Sequence, residues 1–147
     1  MLQSVVVTTQ EQLEQCLAIR REVFVGEQGV SPEEEWDHYD ESPQSCIHLL
    51  LLDEGIPVGT GRLKPFEDGS AKLQRIAVLA SCRGKGTGSI LVRAMEEAAR
   101  EAGFQGAVLD AQCQAEPFYT KLGYTAMSPE IFLDAGIPHI RMSRSWA

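Results

Sequence analysis

Apolar and polar positions alternate along this chain in short runs that read as strands, broken by two stretches with helical spacing. Val5-Val6-Val7 forms a first apolar strand. Thr9 and Gln12 have the spacing of a capping box, and Leu13, Cys16, Leu17, Val23 and Phe24 then give one apolar face of a helix. The polar stretch from Gly26 to Pro43 carries Pro32 and Pro43 and reads as a loop with at most a short helix. Residues 47–52 and 57–63 form a hairpin across Asp53-Glu54-Gly55. Phe66-Glu67-Asp68-Gly69 makes a second turn, leading into the strand-like run Leu73–Leu79. Further on, Ile90, Leu91, Ala94, Met95, Ala98, Ala99 and Ala102 share one helix face. Arg93, Glu96, Glu97, Arg100 and Glu101 take the other face, and Gly103 supplies the stop. A strand at 106–111, a short helix around 115–122, a strand from Tyr124 and a last strand around 137–144 complete the order. This β-α-(α)-β-β-β-α-β-α-β-β succession predicts an α/β domain with a mixed sheet. The hairpins give antiparallel neighbours, and the helical crossover gives a parallel pair.

Composition narrows the class. With 147 residues, 44% hydrophobic and 23% charged, the chain suits one soluble domain, 1–147. No window approaches the ~20 apolar residues of a membrane span, and Met1-Leu2-Gln3-Ser4 has no secretion-signal character. A net charge of −8 argues against nucleic acid. Cys16, Cys46, Cys82 and Cys113 never form C-x-x-C, so no metal site is expected, and four scattered thiols point to the cytoplasm.

The segment Arg83-Gly84-Lys85-Gly86-Thr87-Gly88-Ser89 carries the clearest chemistry. It joins an apolar strand to a helix start, where backbone N–H groups lack intrahelical partners and the dipole favours negative charge. Glycines allow close backbone approach, and Arg83 and Lys85 can add countercharge, so the expected ligand is a pyrophosphate. Neither G-x-x-x-x-G-K-[ST] nor G-x-G-x-x-G is present.

What is present is R-x-x-G-x-G, at Arg83, Gly86 and Gly88. This resembles the coenzyme A loop of the GNAT superfamily of acyl-CoA-dependent N-acyltransferases. A second block, A-x-x-F-Y-x-K-x-G-Y from Ala115 to Tyr124, resembles the second GNAT signature. The runs Arg20–Val30 and Asp134–His139 are similar to a bacterial subgroup of small GNAT proteins, so the resemblance covers nearly the whole chain. It implies a mixed, mostly antiparallel sheet flanked by helices, acetyl-CoA as acyl donor, a small-molecule amine acceptor and a possible homodimer.

Residue roles follow from the same resemblance. The loop residues Arg83, Gly84, Lys85, Gly86, Thr87, Gly88 and Ser89 are expected to hold the cofactor with Gln112 and Phe118. The backbone of Ile76, Ala77 and Val78 is expected to hold the pantetheine arm or the thioester oxygen. Tyr119 maps onto a residue near the thioester sulfur and is the candidate general acid. Many relatives place a basic Glu where this chain has Lys72, so the base stays open among Glu27, Gln74, Asp110, His139 and water. The turn at Glu27-Gln28 is expected to line the acceptor pocket, and Glu27 and His139 are counted as catalytic candidates. The acidic run from Glu27 to Glu41 reads as a rim for a cationic amine or as a solvated loop, with Trp36 and Tyr39 hinting that part of it packs. Two alternatives remain at this point. One is a non-catalytic acyl-CoA-binding module. The other is an acyl-homoserine-lactone-synthase-like enzyme, through the R-x-x-x-F element Arg20–Phe24.

Overall fold

Thr9 caps the first helix as its spacing predicts: its hydroxyl accepts from the Gln12 N–H while the Gln12 side chain reaches back. The structure is a computed structural model and describes residues 1–146. The strand β1 (Leu2–Val6) leads to α1 (Gln10–Arg20), which runs on as a π-helical segment over Arg21–Glu27. Two short turns of helix follow, α2 (Pro32–Glu35) and a 3-10 turn at His38–Asp40. Then come β2 (Ile47–Asp53), β3 (Ile56–Pro65), β4 (Ser70–Val78), α3 (Thr87–Glu101) and β5 (Gly106–Gln112). The chain closes with α4 (Glu116–Lys121), β6 (Thr125–Asp134) and β7 (Ile137–Ser145).

The seven strands form one sheet in the order β1-β2-β3-β4-β5-β7-β6. Every neighbouring pair is antiparallel except β4 and β5, which α3 connects. The alternating strand pattern buries both faces. Leu49, Leu51, Leu63, Leu73 and Leu109 pack against Leu91, Val92 and Met95 of α3. On the opposite face Leu50 and Ala77 pack against Leu13, Cys16, Ile19 and Val23. Among the described residues no helix is long and apolar enough to cross a membrane.

Two irregularities in β4 shape what lies above it. Thr60 pairs with Ala77 and Arg62 with Gln74, so Arg75 and Ile76 stand opposite Gly61 alone, and Arg75 takes a left-handed φ of 56°. The parallel ladder with β5 runs only from Ser70–Gly106 to Leu73–Leu109. Beyond Leu73 the two strands part and leave a wedge-shaped opening.

Two readings of side-chain placement change. The buried face of α3 is Leu91, Val92, Met95, Glu96, Ala98 and Ala99, whereas Ile90 is 45% exposed. Glu96, placed on the solvent face by periodicity, is fully buried; it accepts from Tyr124 Oη at 2.7 Å, Arg93 at 2.8 Å and Arg144 at 2.9 Å. The acidic run is not one solvated loop either. Glu35 and Asp40 are buried, while Trp36 is 47% exposed.

Candidate active site

The opening between β4 and β5 widens into a cavity of ≈ 460 Å³. Ile76, Ala77 and Val78 of β4 line one wall, and Gln112, Ala115 and Tyr119 line the other. The N–H of Leu79 donates to the Val58 carbonyl at 2.9 Å, on the β3 side. Alternation along the strand therefore turns the N–H groups of Ile76 and Val78 to the parted edge. The two residues serve packing and the cavity at once, through different groups.

The glycine loop lies at the mouth. Gly84 and Gly86 have φ of 79° and 80°, a conformation any other L-residue adopts at a cost. Gly86 is the N-cap of α3, and no side chain caps that end, so the first N–H groups of the helix remain to be satisfied. Gly88 has a separate reason to be small: an added Cβ would come 3.2 Å from Phe118 Cζ. Lys85 is exposed beside this turn. Arg83 is turned differently from the expectation of a countercharge. Its Nε donates to the Val78 carbonyl at 2.9 Å and its Nη1 pairs with Glu27 at 2.8 Å.

Glu27, expected on the acceptor side, is thus held by the loop arginine and is not among the residues lining the cavity. Its neighbour Gln28 does line it, and accepts from Gln112 Nε2 at 2.8 Å across the opening. The π-helical end of the first helix therefore clasps both the loop and β5.

Tyr119 lines the cavity, and its hydroxyl makes no hydrogen bond within the described residues. Its ring packs edge-on to Phe118 and Tyr124, at centroid distances of 4.9 and 6.0 Å. Burial pushes the phenol up to about 12, so it holds its proton throughout the neutral range. His139 stands on β7 opposite Gln112 and lines the same cavity. Its Nδ1 lies 2.7 Å from the Ile137 carbonyl, which can only accept. Nδ1 therefore carries the hydrogen, and in the neutral ring Nε2 keeps a free lone pair. Phe132 stacks on the ring at 6.0 Å and fixes its plane.

The other candidate bases are committed elsewhere. Asp110 is bound by Arg141 at 2.8 and 3.2 Å and by Lys72 at 3.0 Å. Burial works against its charge, but these two cations outweigh it and hold the carboxyl below its usual range. Gln74 gives its carbonyl oxygen to Arg62. Arg20 is not at the cavity: its guanidinium is buried against Glu35 and both oxygens of Asp40, at 2.6–2.9 Å. Arg62 continues this cluster to Asp37 and Asp40, and Arg75 closes it onto Glu35. Sequence patterning missed the cluster because it joins residues 20, 35, 37, 40, 62 and 75, which share no local period. No group of three or more His, Cys, Asp and Glu is placed to hold a metal ion among the described residues.

The profile of the Acetyltransferase (GNAT) family matches residues 13–124. The uncharacterized N-acetyltransferase YjcF of Bacillus subtilis strain 168 is 44% identical over 143 residues, 97% of this chain and 99% of that one. Among solved structures, an acyl-CoA N-acyltransferase of Pseudomonas aeruginosa superposes with a TM-score of 0.84 at 28% identity, covering 99% of this chain and 100% of that one. A Lactobacillus plantarum protein superposes with a TM-score of 0.89 at 27% identity, covering 99% of both chains.

Proposed function

The chain belongs to the GNAT family of acetyltransferases, and from that premise we propose that its cavity brings a bound amine directly onto the acetyl group of acetyl-CoA, with Tyr119 and His139 handling the two protons. As a member of this family it is an acyl-CoA-dependent N-acetyltransferase with acetyl-CoA as donor and an amine as acceptor. The residues fit that donor. The uncapped start of α3 and the left-handed glycines at 84 and 86 offer N–H groups to a pyrophosphate, with Lys85 beside them. Arg83 keeps the loop against β4 rather than touching the phosphates, and Glu27 holds Arg83 in that position. Gln112 and Phe118 flank the path inward, and the N–H groups of Ile76 and Val78 take the pantetheine arm or the thioester oxygen.

The chemistry needs a neutral nitrogen, a stabilised oxygen and a protonated leaving sulfur. Nε2 of His139 takes the proton from the attacking amine, directly or through water. A strand N–H steadies the carbonyl oxygen as the nitrogen–carbon bond forms. The carbon–sulfur bond then breaks, and the Tyr119 hydroxyl gives its proton to the sulfur. Lys72 replaces the basic Glu of many relatives, and His139 on the facing wall takes over that duty. One observation carries the reading: a single cavity joins the open edge of β4, the free hydroxyl of Tyr119 and the free Nε2 of His139.

The test is thiol release. Acetyl-CoA should raise the melting temperature by mass action, and free thiol should appear only when an amine is supplied. One equivalent of thiol released without an amine would mean an acetyl-enzyme and would overturn direct attack. We extend the proposal to one N-acetyltransferase domain over 1–147, acting in the cytoplasm on a small-molecule amine. We further propose a homodimer paired along β6, the edge strand whose Ile131 and Leu133 are 65% and 72% exposed.

A further inference from the structure

The floor of the cavity carries a polar arrangement that acyl transfer itself does not use. Alternate residues of a strand share a face, so Lys72 and Gln74 of β4 stand side by side, and both line the cavity. Lys72 is 6% exposed. Its Nζ lies 3.0 Å from Asp110 Oδ2, yet that carboxylate is already gripped through both oxygens by Arg141, at 2.8 and 3.2 Å. One carboxylate thus serves two cations: Arg141 is 40% exposed and meets solvent, while Lys72 is buried and must share its single counterion. Gln74 adds a second donor. Its carbonyl oxygen accepts from Nε and Nη2 of Arg62 at 3.3 and 3.2 Å, so the amide cannot turn and its NH₂ group is left for the cavity. An ammonium and an amide NH₂ are donors only.

The other carboxylates that line this space give Lys72 no second partner. Glu35 is taken by Arg20 and Arg75, while Glu34 and Asp134 are exposed at the rim. A buried charge lacking full compensation is costly, and an anionic group on the ligand removes that cost.

We propose that the amine acceptor also carries a carboxylate, and that Lys72 and Gln74 bind it. The proposal rests on the acyl-transfer reading above. Its geometry sets the acceptor's length. At a rise of about 3.3 Å per residue, Gln74 lies about 7 Å from the N–H of Ile76 and about 13 Å from that of Val78. An α-amino acid is too short for that span, so amine and carboxylate are several bonds apart, as in 6-aminohexanoate.

The test compares 6-aminohexanoate with its amide, 6-aminohexanamide, by thiol release from acetyl-CoA and by calorimetry on the coenzyme A-loaded enzyme. The acid should be preferred by roughly 10- to 100-fold, the contribution of hydrogen bonds to a charged group. In the series from glycine to 6-aminohexanoate, kcat/KM should rise with length. Lys72→Met should bring the acid-to-amide ratio close to one, and a retained acetyl-CoA thermal shift would show that the variant is folded. Should that variant not fold, Gln74→Glu sets a carboxylate among the donors and should weaken binding of the acid selectively. A wild-type enzyme that treats acid and amide alike, or prefers the amide, overturns the carboxylate site and leaves acyl transfer standing. No thiol release with any amine, while the acid still binds better than the amide, overturns acyl transfer and leaves the carboxylate site standing.

Discussion

Tyr119 and His139 differ in what holds them, and their variants should fail differently. Tyr119→Phe removes a hydroxyl that bonds to no other residue described, so folding and acetyl-CoA affinity should stay close to wild type. Turnover should fall by roughly 10²–10⁴-fold if that hydroxyl is the acid. Steady-state kinetics with a saturating amine reads this directly, and near-normal kcat would assign the ring to packing alone. Because burial pushes the phenol up to about 12, no loss of rate from its ionisation should appear below about pH 10. His139→Gln keeps a polar group near the Ile137 carbonyl but removes the basic nitrogen, so kcat/KM should drop by roughly 10²-fold with acetyl-CoA binding intact. The sequence carried these two residues through motif and resemblance, but it could not show their partners. Glu27 has the chemistry of a base on paper, and only the fold reveals Arg83 beside it. Glu96 falls on the polar side of a helical wheel, yet Tyr124 and Arg144, distant in the chain, draw it inside.

At the scale of elements, the glycine loop and β4 make the strongest predictions. Gly86→Val forces a β-branched residue into φ of 80°, at a cost of roughly 1–2 kcal/mol, and disturbs the first turn of α3. The variant should lose the acetyl-CoA thermal shift while retaining its circular dichroism spectrum. An unchanged shift would place the pyrophosphate elsewhere. The cleft-facing amides of Ile76 and Val78 have no ladder partner on β5, since pairing stops at Leu73. They should exchange hydrogen quickly in the free enzyme and slowly once acetyl-CoA is bound, while Leu79, bonded to Val58, should change little. Equal protection with and without the donor would count against their role. The hairpins, the capping box at Thr9 and the helix after the loop are legible because each depends on residues close in sequence. The π-helical turn at Arg21–Glu27 and the bulge at Arg75 are not, since both are imposed by tertiary packing on residues of ordinary propensity.

For the molecule as a whole, the cluster of Arg20, Glu35, Asp40 and Arg62 ties α1 and the segment after it to the sheet. Burial alone would raise the Asp40 carboxyl, but Arg20 and then Arg62 outweigh it and hold it at about 2, against an ordinary 3.8. A carboxyl lowered by folding adds stability that is complete above the unfolded value and is lost as pH falls toward the folded one. Asp40 should therefore contribute about 2 kcal/mol that disappears between about pH 4 and pH 2. Urea denaturation across that window measures it. Asp40→Asn should cost roughly 3–5 kcal/mol at pH 7, because Arg20 and Arg62 lose a shared partner, and should flatten the acid limb. Sedimentation at micromolar concentration tests the dimer along β6: wild type should be twice the monomer mass, and Ile131→Glu with Leu133→Glu should be monomeric. A monomeric wild type would overturn that assembly. The cavity itself is assembled unevenly. On the reading proposed above, its donor half comes from one continuous stretch, Ile76 to Tyr119, whereas its acceptor half adds to Lys72 and Gln74 two segments near the ends of the chain, Val23–Glu35 and Asp134–His139. Natural drift or directed recombination at those ends can therefore retune which amine is acetylated while the machinery for the acetyl donor is inherited unchanged.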